Sequence, residues 1–213
     1  MTVGSGAASD AVPAIVGLIL AGGRSSRMGR DKALIPLGGT ALVQRTVDRL
    51  RPQVAALAIS ANGDPRLFDF LGLPVLPDAT PGAGPMSGLA AGLRWANGIE
   101  GAAHLALVPC DTPFFPRDLV RRLAGAAIGD ADRIAVPRSG GRPHPVFGLF
   151  PTSCTEPLAR WLAEGQKPTM LRWIETRPHL YVDVEDDPDP FFNINTPEDL
   201  ALAAQYLAQG ETR

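Results

Sequence analysis

Cysteine is scarce in this 213-residue chain: Cys110 and Cys154 are the only two, and they share no CxxC spacing. That excludes a disulfide-stapled scaffold and suits a reducing compartment, the cytoplasm. Histidine is equally thin. His104, His144 and His179 stand without cysteine or histidine companions at ligand spacing, so a zinc site is not expected. Charge of one sign is lacking too. Twenty Lys and Arg against 22 Asp and Glu leave a net charge of −2, which offers neither nucleic acid nor an anionic membrane a basic surface. The stretch of small and apolar residues from Ala11 to Gly23 is too short to cross a bilayer. No Lys or Arg precedes it, and Asp10 stands where a secretion signal would be positive.

What is present is the balance of a soluble globular protein, 45% apolar and 20% charged, in a chain long enough to bury a core without disulfides or structural metals. Residues 1–12, rich in Gly, Ala and Ser, read as a loose tail, and residues 13–213 as one domain. Ile15 to Leu20 is a nearly continuous apolar run, as expected of a parallel strand covered on both faces. Ala41 to Leu50 follows with Leu42, Val43, Val47 and Leu50 at helical spacing, leaving Arg45, Asp48 and Arg49 for solvent. Further strands are expected at Ala55 to Ser60, Val75-Leu76, His104 to Val108, Ile134 to Val136 and Tyr181 to Val184. Helices are expected at Arg66 to Leu71, Met86 to Asn97, Pro116 to Ala127, Leu158 to Glu164 and Met170 to Glu175. Pro145 to Phe150 reads as an antiparallel partner strand after the turn Arg138 to Arg142. Thr196-Pro197-Glu198-Asp199 opens a last helix to about Gln209, with Thr196 as N-cap and Asp199 completing a capping box. The alternation predicts a three-layer, Rossmann-like αβα sandwich on a mixed, mostly parallel sheet.

In such sheets ligands bind beyond the carboxyl ends of the strands. The first strand ends at Leu20-Ala21, and the loop beyond it opens with Gly22-Gly23. Paired glycines let the backbone approach a ligand and leave N–H donors unblocked. Arg24, Arg27, Arg30 and Lys32 against Asp31 then give a local charge of +3 on a negative chain, which suits a triphosphate and its pyrophosphate leaving group. The loop fits neither G-x4-G-K-[ST] nor G-x-G-x-x-G, so it is neither a P-loop nor a dinucleotide fingerprint. A solvated basic turn is the plain alternative.

The stretch LAGGRSSRMGRDKAL resembles the signature of nucleotidylyltransferases acting on phosphorylated sugars, isoprenoid precursors and molybdopterin. Its Gly22-Gly23 form is most similar to the molybdenum cofactor guanylyltransferases. The similarity continues, in order, through Ser60-Ala61-Asn62, Leu76-Pro77-Asp78, GPMSGL at Gly84 to Leu89, PCDTPF at Pro109 to Phe114 and FNINTPEDL at Phe192 to Leu200. It implies the nucleotide-diphospho-sugar transferase type of fold and transfer of GMP from GTP to the terminal phosphate of Mo-molybdopterin, with Mg2+. It further implies a cytoplasmic enzyme, expected to be a monomer, that works beside molybdoenzyme chaperones and other cofactor-synthesis proteins. The alternatives are a molybdopterin cytidylyltransferase, a sugar-phosphate nucleotidylyltransferase, and a nucleotide-binding protein without turnover.

On that resemblance Asp111, Lys32 and Arg27 carry catalysis, Arg24 less directly, and Asp111 holds the metal. Asp111 leaves a buried strand in a Pro-Cys-Asp-Thr-Pro turn, and its hard carboxylate suits Mg2+. The plain alternative is a turn Asp bonded to backbone near Thr112. No second acid lies two residues away, so the metal would lean on phosphates, water and the Asn195 amide oxygen. Leu20, Ala21, Gly22, Gly23 and Lys32 are expected at the GTP, with Asn62 and Asp78 at the base. A carboxylate can accept from guanine N1–H and N2–H, an edge cytosine lacks. Before Gly63, Asn62 could equally be a turn residue. Arg142, His144, Asn193 and Asn195 are expected to face molybdopterin, the two asparagines on one side of an extended segment. Local capping before the last helix is the alternative for that pair. His144, between two prolines, could equally lie at the surface. The acidic stretch Asp183 to Asp189 reads as a solvated loop, the three tryptophans as core, and both cysteines as buried, neutral thiols.

Overall fold

The apolar run near the N-terminus is the central strand of the protein. The computed structural model describes residues 14–22, 31–78, 84–164, 169–185 and 189–210. The expected tail at residues 1–12, together with Gly23, Arg24, Arg27 and Arg30, lies outside them. Strand β1 (Ala14–Leu20) pairs in parallel with β4 (Ala56–Ser60) on one side and β6 (Ala102–Pro109) on the other. Both faces of β1 are covered, since Ile19 joins one core and Val16 and Leu18 another. That is why its sequence is continuously apolar rather than alternating.

Between β1 and β4 come the short hairpin β2 (Pro36–Leu37) and β3 (Thr40–Ala41), then α1 (Leu42–Leu50). Strand β5 (Val75–Leu76) extends the sheet beyond β4, preceded by a 3-10 turn at Pro65–Leu71. Helix α2 (Pro85–Asn97) leads back across to β6. Helix α3 (Leu119–Ala126), β7 (Ile134–Ser139), β8 (Arg142–Pro143) and β9 (Gly148–Pro151) follow. Then come α4 (Thr155–Ala163), α5 (Met170–Ile174), β10 (His179–Asp183) and α6 (Pro197–Ala208). Among the described residues the sheet runs β10-β7-β9-β6-β1-β4-β5, with β8 paired to β7. The antiparallel members are β9, between β6 and β7, and β8, on β7. Helices α1 and α3 cover one face, and α2, α4 and α5 the other. Helix α6 packs through Ala203 on Leu37, Leu42, Phe114 and Ile194. No helix among the described residues is long and apolar enough to cross a membrane.

Several expectations shift: α4 starts at Thr155 rather than Leu158, and the helix expected at Arg66 to Leu71 is a 3-10 turn. Helix α3 starts at Leu119 rather than Pro116; residues 116–118 form a turn, and Asp118 pairs with Arg121 and Arg122 at 2.8 Å. The antiparallel strand begins at Gly148, because Phe147 N–H donates to His144 O at 2.9 Å and closes a turn before it. On α1, Asp48 is exposed, but Arg45 reaches back to Leu37 O at 2.8 Å and Arg49 is only 4% exposed. Leu42, Thr46 and Arg49 follow at i, i+4, i+7, one stripe of the helix, and that stripe faces protein.

Two helix glycines set how close α2 comes to the sheet. A Cβ at Gly92 would strike the Leu18 side chain. One at Gly88 would strike Leu20 and stand 2.8 Å from Ser60 Oγ. G88V is therefore expected to destabilise the fold by about 1–3 kcal/mol, a fall of roughly 2–4 °C in Tm per kcal/mol at this size. A melting temperature unchanged from the parent would refute that packing argument.

Candidate active site

The chain builds β1, β4 and β5 outward in one direction, then crosses to the other side of β1 for β6. The sheet order thus reverses between β1 and β6, and such a switch point opens a crevice at the carboxyl edge. Register does the rest. Leu20 is level with Ser60 and with Pro109, and Ser60 with Leu76. Whatever follows those four residues emerges at one edge: Ala21-Gly22, Asn62, Asp78 and Asp111. All of them line a cleft of about 510 Å³, together with Lys32 and Asn193.

Lys32 stands at one end. A 3-10 turn at Lys32–Leu34 carries it, and Asp31 caps that turn by accepting from Ala33 N–H at 3.1 Å. Lys32 Nζ donates to Asp111 Oδ2 at 2.5 Å and to Asn195 Oδ1 at 2.7 Å. The pair is largely enclosed, with side chains 14% and 19% exposed. The Asp111 main chain is fixed independently, its C=O accepting from Ile194 N–H at 2.9 Å. Turned so that donors meet acceptors, the Asn193 amide nitrogen donates to both Asp111 carboxylate oxygens at 2.8 Å. The alternation expected of Asn193 and Asn195 brings both onto the Lys32–Asp111 pair. Asp111 is not spent on turn backbone; besides these partners its Oδ1 accepts from the Thr112 hydroxyl at 3.3 Å.

The capping box of α6 has a second use. Asp199 Oδ2 accepts from Thr196 N–H at 2.9 Å and also from Asn195 N–H at 2.8 Å. The Asn195 N–H is the main cause holding the Asp199 carboxyl below its ordinary pKa. The helix cap thereby fixes the residue whose side chain meets Lys32, a role that motif reading alone missed.

At the other end, Asn62 and Asp78 clamp one another. Asn62 Nδ2 donates to Asp78 Oδ2 at 2.6 Å, and Asp78 N–H to Asn62 Oδ1 at 3.2 Å. Ser60 Oγ donates to Asp78 Oδ1 at 3.4 Å, so the carboxylate is oriented from two sides and keeps lone pairs free. Between the two ends the first turn of α2 lines the cleft through Gly84, Pro85 and Gly88. It presents the positive end of a helix, which favours anionic oxygens. Gly84, at φ +57° and ψ −141°, holds a conformation that side chains disfavour. A Cβ on Gly22 would stand 3.7 Å from Asn62 Nδ2, within space the ligand would use. Val146, which the sequence did not single out, forms part of the opposite wall.

Arg142 and His144 are not brought to this cleft. Arg142 is exposed on β8. The His144 ring stacks on Phe191 at 4.4 Å, and its Nε2 meets Ser139 Oγ at 2.8 Å. Burial lowers the His144 pKa. In the acidic stretch, Asp183 is paired with Arg138 at 2.7 Å, while residues 186–188 lie outside the described ones. Gly23 and Arg27, expected at the phosphates, also lie outside. Both cysteines are free and buried. Burial pushes the Cys110 thiol well up and the Cys154 thiol up to about 11, so neither supplies a thiolate.

Among the described residues no group of three or more His, Cys, Asp or Glu converges as a metal site. Mg2+ does not require one, since it takes one or two protein oxygens plus water and phosphate. Asp111 Oδ2 and Asn195 Oδ1 already share one positive charge, the Lys32 ammonium. That donor set fits a hard cation carried in on a triphosphate.

Comparison with known proteins gives the family. The molybdenum cofactor guanylyltransferase of Mesorhizobium japonicum is 46% identical, over 91% of this chain and 96% of its own. That of Cereibacter sphaeroides is 50% identical over 91% and 97%. Among solved structures, molybdopterin-guanine dinucleotide biosynthesis protein A from Archaeoglobus fulgidus matches with a TM-score of 0.73. It is 23% identical and covers 91% of this chain and 99% of its own. A 4-diphosphocytidyl-2C-methyl-D-erythritol synthase from Anaerococcus prevotii shares the fold at TM-score 0.71 and 15% identity, over 92% and 98%. Residues 17–179 match the MobA-like NTP transferase domain, and the chain belongs to that family.

Proposed function

We propose that this chain is a molybdenum cofactor guanylyltransferase, which transfers GMP from GTP to the terminal phosphate of Mo-molybdopterin. The observation that carries the reading is the Lys32–Asp111 pair at the switch point, in one cleft with the clamped Asp78 and with Asn195 on Lys32. The guanine edge lies on Asp78, whose carboxylate accepts N1–H and N2–H while Asn62 and Ser60 hold its orientation. The phosphates run past Gly22 and the positive end of α2 toward Lys32. An oxygen of the molybdopterin phosphate attacks the α-phosphorus; that P–O bond forms, the bond to the β-phosphate oxygen breaks, and pyrophosphate leaves. Asp111, with Asn195, would hold Mg2+, which supplies charge neutralisation at the phosphates and the leaving group. Lys32 stabilises charge growing on the same oxygens. Such chemistry is chiefly positioning and electrostatics. Arg27 and Gly23 belong to the same phosphate site in this proposal, with Arg142 and His144 outside the first contacts to GTP. Its two buried free thiols suit the cytoplasm.

Incubation with molybdopterin and each of the four labelled triphosphates tests the reading. Transfer and pyrophosphate release are expected with GTP and to depend on both substrates. D78A should lower kcat/KM for GTP roughly 10- to 100-fold, the loss of hydrogen bonds to a charged acceptor. Preference for CTP over GTP in the parent enzyme would overturn the guanine assignment.

A further inference from the structure

Asp111 rides on a turn that is poor in donors of its own, since Pro109, Pro113 and Pro116 carry no N–H. The carbonyls on the underside of that turn are met from α1 and the turn after it. Thr46, fully buried, approaches Cys110 O with its hydroxyl at 3.3 Å, which it shares with Leu42 O at 3.1 Å. Arg49 Nη1 donates to Phe115 O at 2.7 Å, with the guanidinium 5.9 Å over the Phe115 ring. Gln53 continues the row, its amide donating to Pro116 O at 3.5 Å and accepting from Val120 N–H at 3.0 Å. Cys110 and Phe115 bracket the segment that holds Asp111. Neither Thr46 nor Arg49 lines the cleft.

Removing a guanidinium from water is costly, and an apolar side chain of similar length often serves a core as well or better. Burial, and then the neighbouring Arg117, bring the Arg49 pKa down to about 10. Its Nη1 on Phe115 O sets the guanidinium head against the turn that carries Asp111.

We propose that Arg49, assisted by Thr46, is a positioning residue for Asp111: it braces the Pro109–Pro116 turn from beneath and fixes where the carboxylate stands in the cleft. The proposal rests on the reading of Asp111 given above. A metal-holding group displaced by a fraction of an ångström loses rate without losing the base site.

The test compares R49M and T46V with D111A in the full-length enzyme. Three quantities are read: kcat for GMP transfer, the Mn2+ concentration giving half-maximal rate, and metal-free affinity for a fluorescent GTP analogue. R49M is expected to lower kcat at least tenfold and raise the Mn2+ midpoint at least fivefold, with analogue affinity within twofold of the parent. T46V, which keeps the shape and removes the hydroxyl, should move kcat and midpoint the same way by about threefold. Should R49M fail to fold, T46V decides by those same readings. Parental kcat and Mn2+ midpoint in folded R49M, or in T46V where R49M does not fold, with D111A inactive, overturn the brace and leave the Asp111 reading standing. Full transfer by D111A overturns both.

Discussion

Replacing Asp111 with alanine is expected to lower the rate of GMP transfer by at least about a thousandfold, the scale on which charge stabilisation at a leaving group acts. The fold should survive. The Asp111 backbone is pinned by Ile194 N–H to its carbonyl, a bond the substitution does not touch, and Lys32 keeps Asn195 Oδ1 as a partner. The residue lines a cleft rather than the core, so no cavity is opened. Affinity for GTP measured without metal should stay near the parent value, because the base end is built from Asn62, Asp78 and Ser60. D111N makes the stricter comparison. An amide keeps the size and can still accept from Lys32, yet lacks the charge a hard cation requires, so its loss should approach that of D111A. Single-turnover rates with saturating GTP and molybdopterin provide the measurement. Transfer by either variant within tenfold of the parent would remove Asp111 from the chemistry.

Much of the architecture was legible because burial on both faces writes itself into composition. Ile15 to Leu20 could be recognised as a central strand before any pairing was known, and the capping box at Thr196 marked the start of α6. Other features were hidden for identifiable reasons. Arg49 lies on the same stripe as Leu42 and Thr46, so its spacing pointed inward while its charge pointed outward. Tertiary packing decided for spacing. The resemblance put Asp111, Lys32 and Asn195 at one site, but their hydrogen bonds to one another could not be read from the chain. Lys32 and Asn195 are separated by 163 residues, and only the crossing from β5 to β6 and the docking of α6 bring them together. Asn62 showed the reverse case. It was expected at the base beside Asp78, with a turn role before Gly63 as the alternative, and its amide holds Asp78. His144 stacks on Phe191 and meets Ser139 Oγ, contacts its place between two prolines did not disclose.

Lys32 provides the second large effect. An ammonium has three N–H donors, and two of them are engaged, on Asp111 Oδ2 and Asn195 Oδ1. The third is left for a phosphate oxygen, and the two protein acceptors fix the axis along which it points. K32M keeps the apolar stem and removes the charge, so the capped turn at Lys32–Leu34 should persist. Its expected cost is about 10²–10³-fold in rate, about 3–4 kcal/mol of transition-state stabilisation. The kinetic pattern matters more than the size. A residue that only gathers anionic substrate would raise KM and leave kcat alone. In the proposed reaction Lys32 meets oxygens whose charge grows as pyrophosphate departs, so the loss should fall chiefly on kcat. K32R is expected to recover only part of it. The guanidinium carries the charge, but its planar fork does not reproduce three donors on one nitrogen in a place this enclosed. A K32M enzyme with parental kcat and only a raised KM would make Lys32 a binding residue and leave Asp111 to bear the chemistry without it.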